Sequence, residues 1–159
     1  MGSPVWYATQ AAKLQLTPSA LIEQGDLRGE VLSLHDHFVL SGVLTTGDVI
    51  NMSGLIPEGA RIVAAKMAWS AQGGAAALSL GWPASAVQAD GHSEPAAPTA
   101  LINDVAAVAA GGADMFATNP QAPGYQYVLQ AAVQPQVSVT VAGTAVVGSI
   151  DVEIEFVVD

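Results

Sequence analysis

Residues 149–159, SIDVEIEFVVD, constrain the fold more than any other stretch of the chain. Ile150, Val152, Ile154, Phe156 and Val158 share one parity, while Ser149, Asp151, Glu153 and Glu155 share the other. Successive side chains of a strand point to opposite faces, so this period of two predicts a β-strand with one buried face and one acidic, solvated face. Such a strand needs a sheet to pair with and an apolar layer to cover.

Further strands are legible upstream. In EVLSLHDHFVL (30–40), Leu32, Leu34, Phe38 and Leu40 alternate with Val31, Ser33, His35, His37 and Val39. GDVINM (47–52), RIVAAKMAWS (61–70), AAALSLGW (75–82), YQYVLQ (125–130) and PQVSVTVAG (135–143) are rich in β-branched or aromatic residues or are bounded by turn residues. The turn SGLIPEGA contains Gly54, Pro57 and Gly59. Gly73 and Gly74 in AQGG can take positive φ, which predicts a β-hairpin joining 61–70 to 75–82. A helix is expected only at 99–109, where Thr99 could cap, Leu101, Val105 and Val108 share a face, and Gly111-Gly112 would stop it.

Seven or eight strands with at most one short helix predict an all-β fold, an antiparallel β-sandwich. A jelly roll is the leading topology and a partly open barrel the alternative, because sequence does not give strand order. The expected organisation is an N-terminal arm at 1–29 and a β-sandwich domain at 30–159. The latter includes an excursion at about 83–124, whose first part, 83–98, holds three prolines.

The core implied by this fold is unusual in its building blocks. Of 159 residues 51% are apolar, yet only 6% are aromatic, and much of the apolar share is Ala and Val. Many small side chains suit closely packed sheets better than a helix bundle, which would show Leu at helical spacing.

The arm, by contrast, has no sustained period. It combines Pro4 and Pro18 with Val5, Trp6, Tyr7, Leu14, Leu16, Leu21 and Ile22. Those seven apolar residues need an apolar surface, and they are the candidate partner-binding residues. Packing on the arm's own domain and docking onto a neighbouring subunit both remain open.

Charge excludes several functions. Four basic residues, Lys13, Arg28, Arg61 and Lys66, stand against fourteen acidic ones, for a net charge of −10. Nucleic acid and anionic membrane surfaces are therefore not expected partners. Charged residues make up 11% of the chain, against about 25% in an ordinary soluble domain. A surface so poor in charge predicts burial by self-association or by docking onto a larger assembly. The absence of cysteine rules out disulfides, thiolate chemistry and Cys-ligated zinc. No signal-like segment or run of eighteen apolar residues occurs, so assembly in a cytoplasm is expected.

No constellation of residues amounts to a catalytic or cofactor site. His35 and His37 would share a strand face, but two ligands leave a metal site incomplete, and a third from His92 or a carboxylate is not indicated. His92 lies beside Asp90, Ser93 and Glu94 without a nucleophile elbow, so loop polarity explains it. Asp151, Glu153 and Glu155 alternate regularly, as a solvated face does. Neither a P-loop nor a dinucleotide fingerprint occurs. No enzyme, cofactor or metal is expected.

Residues 47–82 carry a resemblance. Asp48, Val49, Ile50 and Met52 are followed by Pro57, Gly59, Ala60, Arg61 and Ile62, then by Leu78, Gly81 and Trp82 closing a Gly-rich segment. This pattern, with the C-terminal EIEFVVD and an arm bearing Ala11, Pro18 and Ser19, resembles the decoration (cement) proteins of tailed-bacteriophage virions. The Ala-rich GGAAALSL departs from the Ser- and Thr-rich hairpin of that family. The resemblance implies a structural protein that binds the major capsid protein on the outer surface of the head, forms a homotrimer and clamps neighbouring capsomers. A head-fibre or tail component is the alternative within the virion. A carbohydrate-binding sandwich, with Trp69, Trp82 and Tyr125 as platform candidates, is the alternative outside it.

Overall fold

The computed structural model describes residues 30–117 and 122–158, which form eight strands and no helix. These are β1 (Val31–Leu40), β2 (Val49–Asn51), β3 (Ala60–Trp69), β4 (Ala77–Trp82), β5 (Ala97–Ala106), β6 (Gly111–Asp114), β7 (Gln136–Val141) and β8 (Gly148–Val158). They build two four-stranded sheets in the orders β1-β8-β3-β6 and β2-β7-β4-β5. Antiparallel ladders join β1 to β8, β2 to β7, β3 to β6 and β4 to β5. The chain is thus a long hairpin, with β4 and β5 at its tip, rolled so that β8 also pairs with β3 and β7 with β4. That nesting is a jelly roll, not a partly open barrel.

β8 lies inside its sheet, as its alternation requires. Ile150, Val152, Ile154 and Phe156 are buried, and Val158 packs against the same core. The facing sheet contributes Leu78, Leu80, Trp82, Leu101, Ile102, Val137 and Val139. Small residues fill the gaps, among them Ala60, Ala65, Ala76, Ala100 and Ala107, in keeping with the composition. Gly81 in β4 allows the sheet to close, because a Cβ there would overlap the Ala97 carbonyl oxygen and come within 2.5 Å of the Pro98 carbonyl carbon.

Four local expectations are corrected. First, 61–70 and 75–82 do not form a hairpin, since β3 and β4 lie in different sheets. Gly73 and Gly74 do have positive φ, 67° and 59°, but they turn the chain across the sandwich. Gln72 secures that crossing: its carbonyl accepts from the N–H groups of Thr144 and Ala145, and its own N–H donates to the Ala107 carbonyl.

Second, 99–109 is not a helix but most of β5 and the residues after it. The β4–β5 register shifts twice, and Asp104 sits at φ 50°. Such irregularities break the period of two, so Ile102 and Val105 both reach the core at a spacing that imitates a helix. The Asp104 N–H donates to Ser79 Oγ at 2.9 Å, which fixes the distortion.

Third, 125–130 is not a strand. Gln126 takes φ 59°, and pairing is limited to an isolated bridge between Val128 and Arg61. Fourth, Gly111-Gly112 does not stop a helix but opens β6, where Gly112 lies opposite Ala68.

Candidate assembly surfaces and polar clusters

Val5, Trp6, Tyr7, Leu14, Leu16, Leu21 and Ile22, the sequence-based partner-binding residues, lie outside the described residues. The described surface is instead defined by where its few charges go. The strands of the β1-β8-β3-β6 sheet hold Asp36, Arg61, Lys66, Asp114, Asp151, Glu153 and Glu155, whereas the β2-β7-β4-β5 strands hold only Asp104.

Apart from Asp36, register places this set on the outer face, in rows across the strands. His35 stands opposite Glu153, Glu153 opposite Lys66, and Lys66 opposite Asp114. One row along, His37 stands opposite Asp151, Asp151 opposite Ala68, and Ala68 opposite Gly112. Lys66 Nζ lies 3.8 Å from Glu153 Oε2, Ser33 Oγ donates to Glu153 Oε1 at 3.4 Å, and His37 Nδ1 is 2.6 Å from Asp151 Oδ1. The small residues of the second row leave a shallow groove of about 500 Å³, bordered by His35, Lys66, Asp114, Asp151 and Glu153. The acids of β8 are half-buried, because an inner strand has neighbours on both sides.

His35 and His37 do share this face, as the alternation predicts, but no third ligand joins them among the described residues. Asp36 points to the other side. It accepts from the Ser53 N–H at 2.6 Å and from the His37 N–H at 3.0 Å. The Ser53 bond is the main reason its carboxyl is held below the usual aspartate value.

His92 has a different partner from those its sequence neighbours suggest. Its Nδ1 lies 3.0 Å from Glu58 Oε1 and 3.5 Å from Asp90 Oδ2. The Glu58 hydrogen bond, followed by the Asp90 charge, raises the imidazole pKa above 6.5 and makes Nδ1–H the donor. The ligating atoms of Glu58, Asp90 and His92 lie within 4.8 Å of one another, and all three residues are exposed. Glu58 was not foreseen, because it lies 34 residues from His92 and sits in a turn with no histidine nearby.

Glu94 leaves this cluster altogether. It is 2% exposed, accepts from the Gln130 N–H at 2.8 Å and binds the Tyr127 hydroxyl, whose pKa is raised chiefly by that bond. A buried carboxylate requires such partners, and here they anchor the 83–96 loop to the 127–130 segment. Trp69 and Trp82 are buried, with Trp69 Nε1 donating to the Ala109 carbonyl and Trp82 stacking on Tyr127 at 6.0 Å. Of the sugar-platform candidates only Tyr125 is exposed, and it packs edge-on against Phe116.

The strand order and register therefore define a protein class, an eight-stranded jelly-roll β-sandwich with one charged and one nearly uncharged sheet. No protein-family model and no curated protein matches the chain. Among solved structures, the fold is similar to a chain of the cyanophage Pam1 capsid asymmetric unit, with TM-score 0.64 and 19% identity over 96% of this chain and 99% of that one. It is also similar to a chain of the capsid of Ralstonia phage GP4, with TM-score 0.62 and 20% identity over 83% of this chain and 86% of that one.

Proposed function

We propose that the chain is a non-enzymatic decoration (cement) protein of a tailed-bacteriophage head, bound as a homotrimer on the outer surface, where it clamps neighbouring capsomers by contacting the major capsid protein. The observation that carries this reading is the likeness to a chain of a phage capsid asymmetric unit, which runs almost the full length of both chains. The resemblance at Asp48–Met52, Pro57–Ile62 and Leu78–Trp82 supports it independently. A net charge of −10 favours the outside of a DNA-filled shell over its interior.

The division of charge between the sheets suits a protein that is partly covered. Burying the paired acids of β8 in a seam would incur desolvation, whereas the β2-β7-β4-β5 sheet has one charge to hide. The apolar arm at 1–29 is the element that docks onto the capsid. Burial of Trp69 and Trp82 removes most of the support for a carbohydrate-binding module.

The test is to add purified protein to heads that lack it and to measure bound copies per major capsid protein by cosedimentation and cryo-electron microscopy. The reading expects saturable binding in threes all over the outer surface. Binding confined to one vertex or to the tail would make the chain a fibre or tail component, and no binding would reject the role. Deleting residues 1–25 should leave the unfolding midpoint unchanged and weaken attachment.

A further inference from the structure

A jelly roll has four sheet edges, and here three are blunted. β2 is three residues long, β6 is four with two glycines, and β5 contains Pro98 and two register shifts. β1 differs. It runs ten residues, pairs with β8 without a bulge, and contains no proline. Among the described residues no backbone hydrogen bond joins its outer edge to another strand or loop, although the His37 N–H is held by the adjacent Asp36 carboxylate. Long, regular edges are strand acceptors unless something covers them.

Several of its apolar side chains also lack full cover. Val31 is 55%, Leu32 42% and Val39 63% exposed, and Leu34 and Phe38 are only partly buried, although β8 residues of the inward parity are enclosed. Four of these five apolar residues are placed symmetrically about His35: Val31 and Val39 lie four residues to either side, and Leu32 and Phe38 lie three, while the counterpart of Leu34 is Asp36.

From this we infer that β1 is a self-pairing edge, at which a second copy of this chain adds its own β1 antiparallel about a two-fold axis through His35. Val31 of each copy then faces Val39 of the other on the outer face, and Leu32 faces Phe38 on the inner face. Cross-strand partners of this kind are in contact distance, so each exposed apolar residue gains an apolar neighbour. Leu34 would face Asp36, whose carboxylate is already engaged by the Ser53 and His37 N–H groups. In an isologous contact residue i meets j and j meets i, so this near-symmetric apolar pattern suits a second copy of the same strand. Two sheets would merge into one of eight strands, with the charged row Asp114, Lys66, Glu153, His35 continuing into its mirror sequence in the partner.

This contact closes after two copies, so a three-fold seam must use other surface. It would link copies belonging to neighbouring trimers. The inference stands or falls apart from the capsid role, because it is tested on the purified chain alone.

The absence of native cysteine allows a direct test of the register. Only residue 35 faces itself, while two Val31 positions would stand about 27 Å apart along the strands. Full-length His35→Cys, Val31→Cys and Val39→Cys proteins are treated with a short bis-maleimide and run on denaturing gels. Covalent dimers are expected from His35→Cys alone and from a mixture of Val31→Cys with Val39→Cys, but not from either valine variant alone. Adding Val39→Lys to His35→Cys should abolish the dimer while leaving a single cooperative tryptophan-monitored unfolding transition. No dimer from His35→Cys or from the mixture would overturn the proposal. So would cross-linking of Val31→Cys alone as efficient as that of His35→Cys.

Discussion

Ile154 offers the sharpest test of how this sandwich is held together. It is 0% exposed and lies opposite Leu34 of β1 and Ala65 of β3, in the middle of an inner strand. Truncation to alanine at such a site removes about 2–5 kcal/mol, the upper part applying where neighbours cannot collapse into the gap. Ladders on both sides fix the backbone here, and Ala65 is too short to fill the space, so about 3–5 kcal/mol is expected. Ile154→Asp loses the same burial and adds an unpaired carboxylate in the core, worth several kcal/mol more. That sum approaches the whole stability of a typical domain, about 5–15 kcal/mol, so this variant should be largely unfolded at 25 °C. Urea titration with tryptophan fluorescence is a suitable assay, since Trp69 and Trp82 are buried and become exposed on unfolding. Glu153→Gln is the matched control one residue away on the other face. Its partner Lys66 is 3.8 Å distant and mostly exposed, so the change should stay within about 1 kcal/mol. An Ile154→Ala loss below about 1 kcal/mol with an unchanged denaturant slope would refute the packing argument, because no enclosed isoleucine between two ladders should be so cheaply removed.

NMR titration should place the His92 midpoint above 6.5, and Glu58→Gln should lower it; because its folded pKa is raised, the stabilisation is full below about pH 6.5 and lost as pH rises through the folded value. Asp36 has the opposite sign: its depressed pKa contributes stability above pH 3.8 that disappears as pH falls through the folded value, so Asp36→Asn should flatten the acid limb of the unfolding curve. Gly81→Ala should destabilise by about 1–3 kcal/mol in thermal unfolding, because the new methyl meets the Ala97 and Pro98 backbone rather than a movable side chain.

The strands that were legible in the sequence are those whose two faces meet different environments. β8 and β7 keep their period because one side meets the core and the other does not, and β1 keeps it at an edge. Legibility failed where the backbone leaves the ideal strand. Asp104 at φ 50° shifts parity within β5, and Gln126 at φ 59° breaks a segment whose Tyr125, Tyr127 and Val128 favour strand. β6 was invisible because two of its four residues are glycine and carry no pattern. The supposed 61–82 hairpin shows a more general ambiguity. A Gly-Gly turn with positive φ serves equally to close a hairpin or to carry the chain to the opposite sheet. Only the long-range ladders, such as Leu32 with Phe156, decide between them.

The polar clusters follow the same logic at a finer scale. That His35 and His37 share a face could be read from alternation alone, but their acidic partners Glu153 and Asp151 come from a strand more than a hundred residues away. The acids of β8 were expected to be solvated because their parity was right, and their half-burial instead reflects the strand's inner position, which no local pattern encodes. Glu94 makes the point most strongly. Among Asp90, His92 and Glu94 the sequence offers three similar polar residues in a loop, yet two stay in water and one enters the interior. The difference lies in the 127–130 segment, whose Gln130 N–H and Tyr127 hydroxyl wait at the end of the loop. A chain with so few charges therefore uses this one to tie a loop to its core, and keeps most of the others of its strands on a single sheet, leaving the second sheet nearly free of charge to cover.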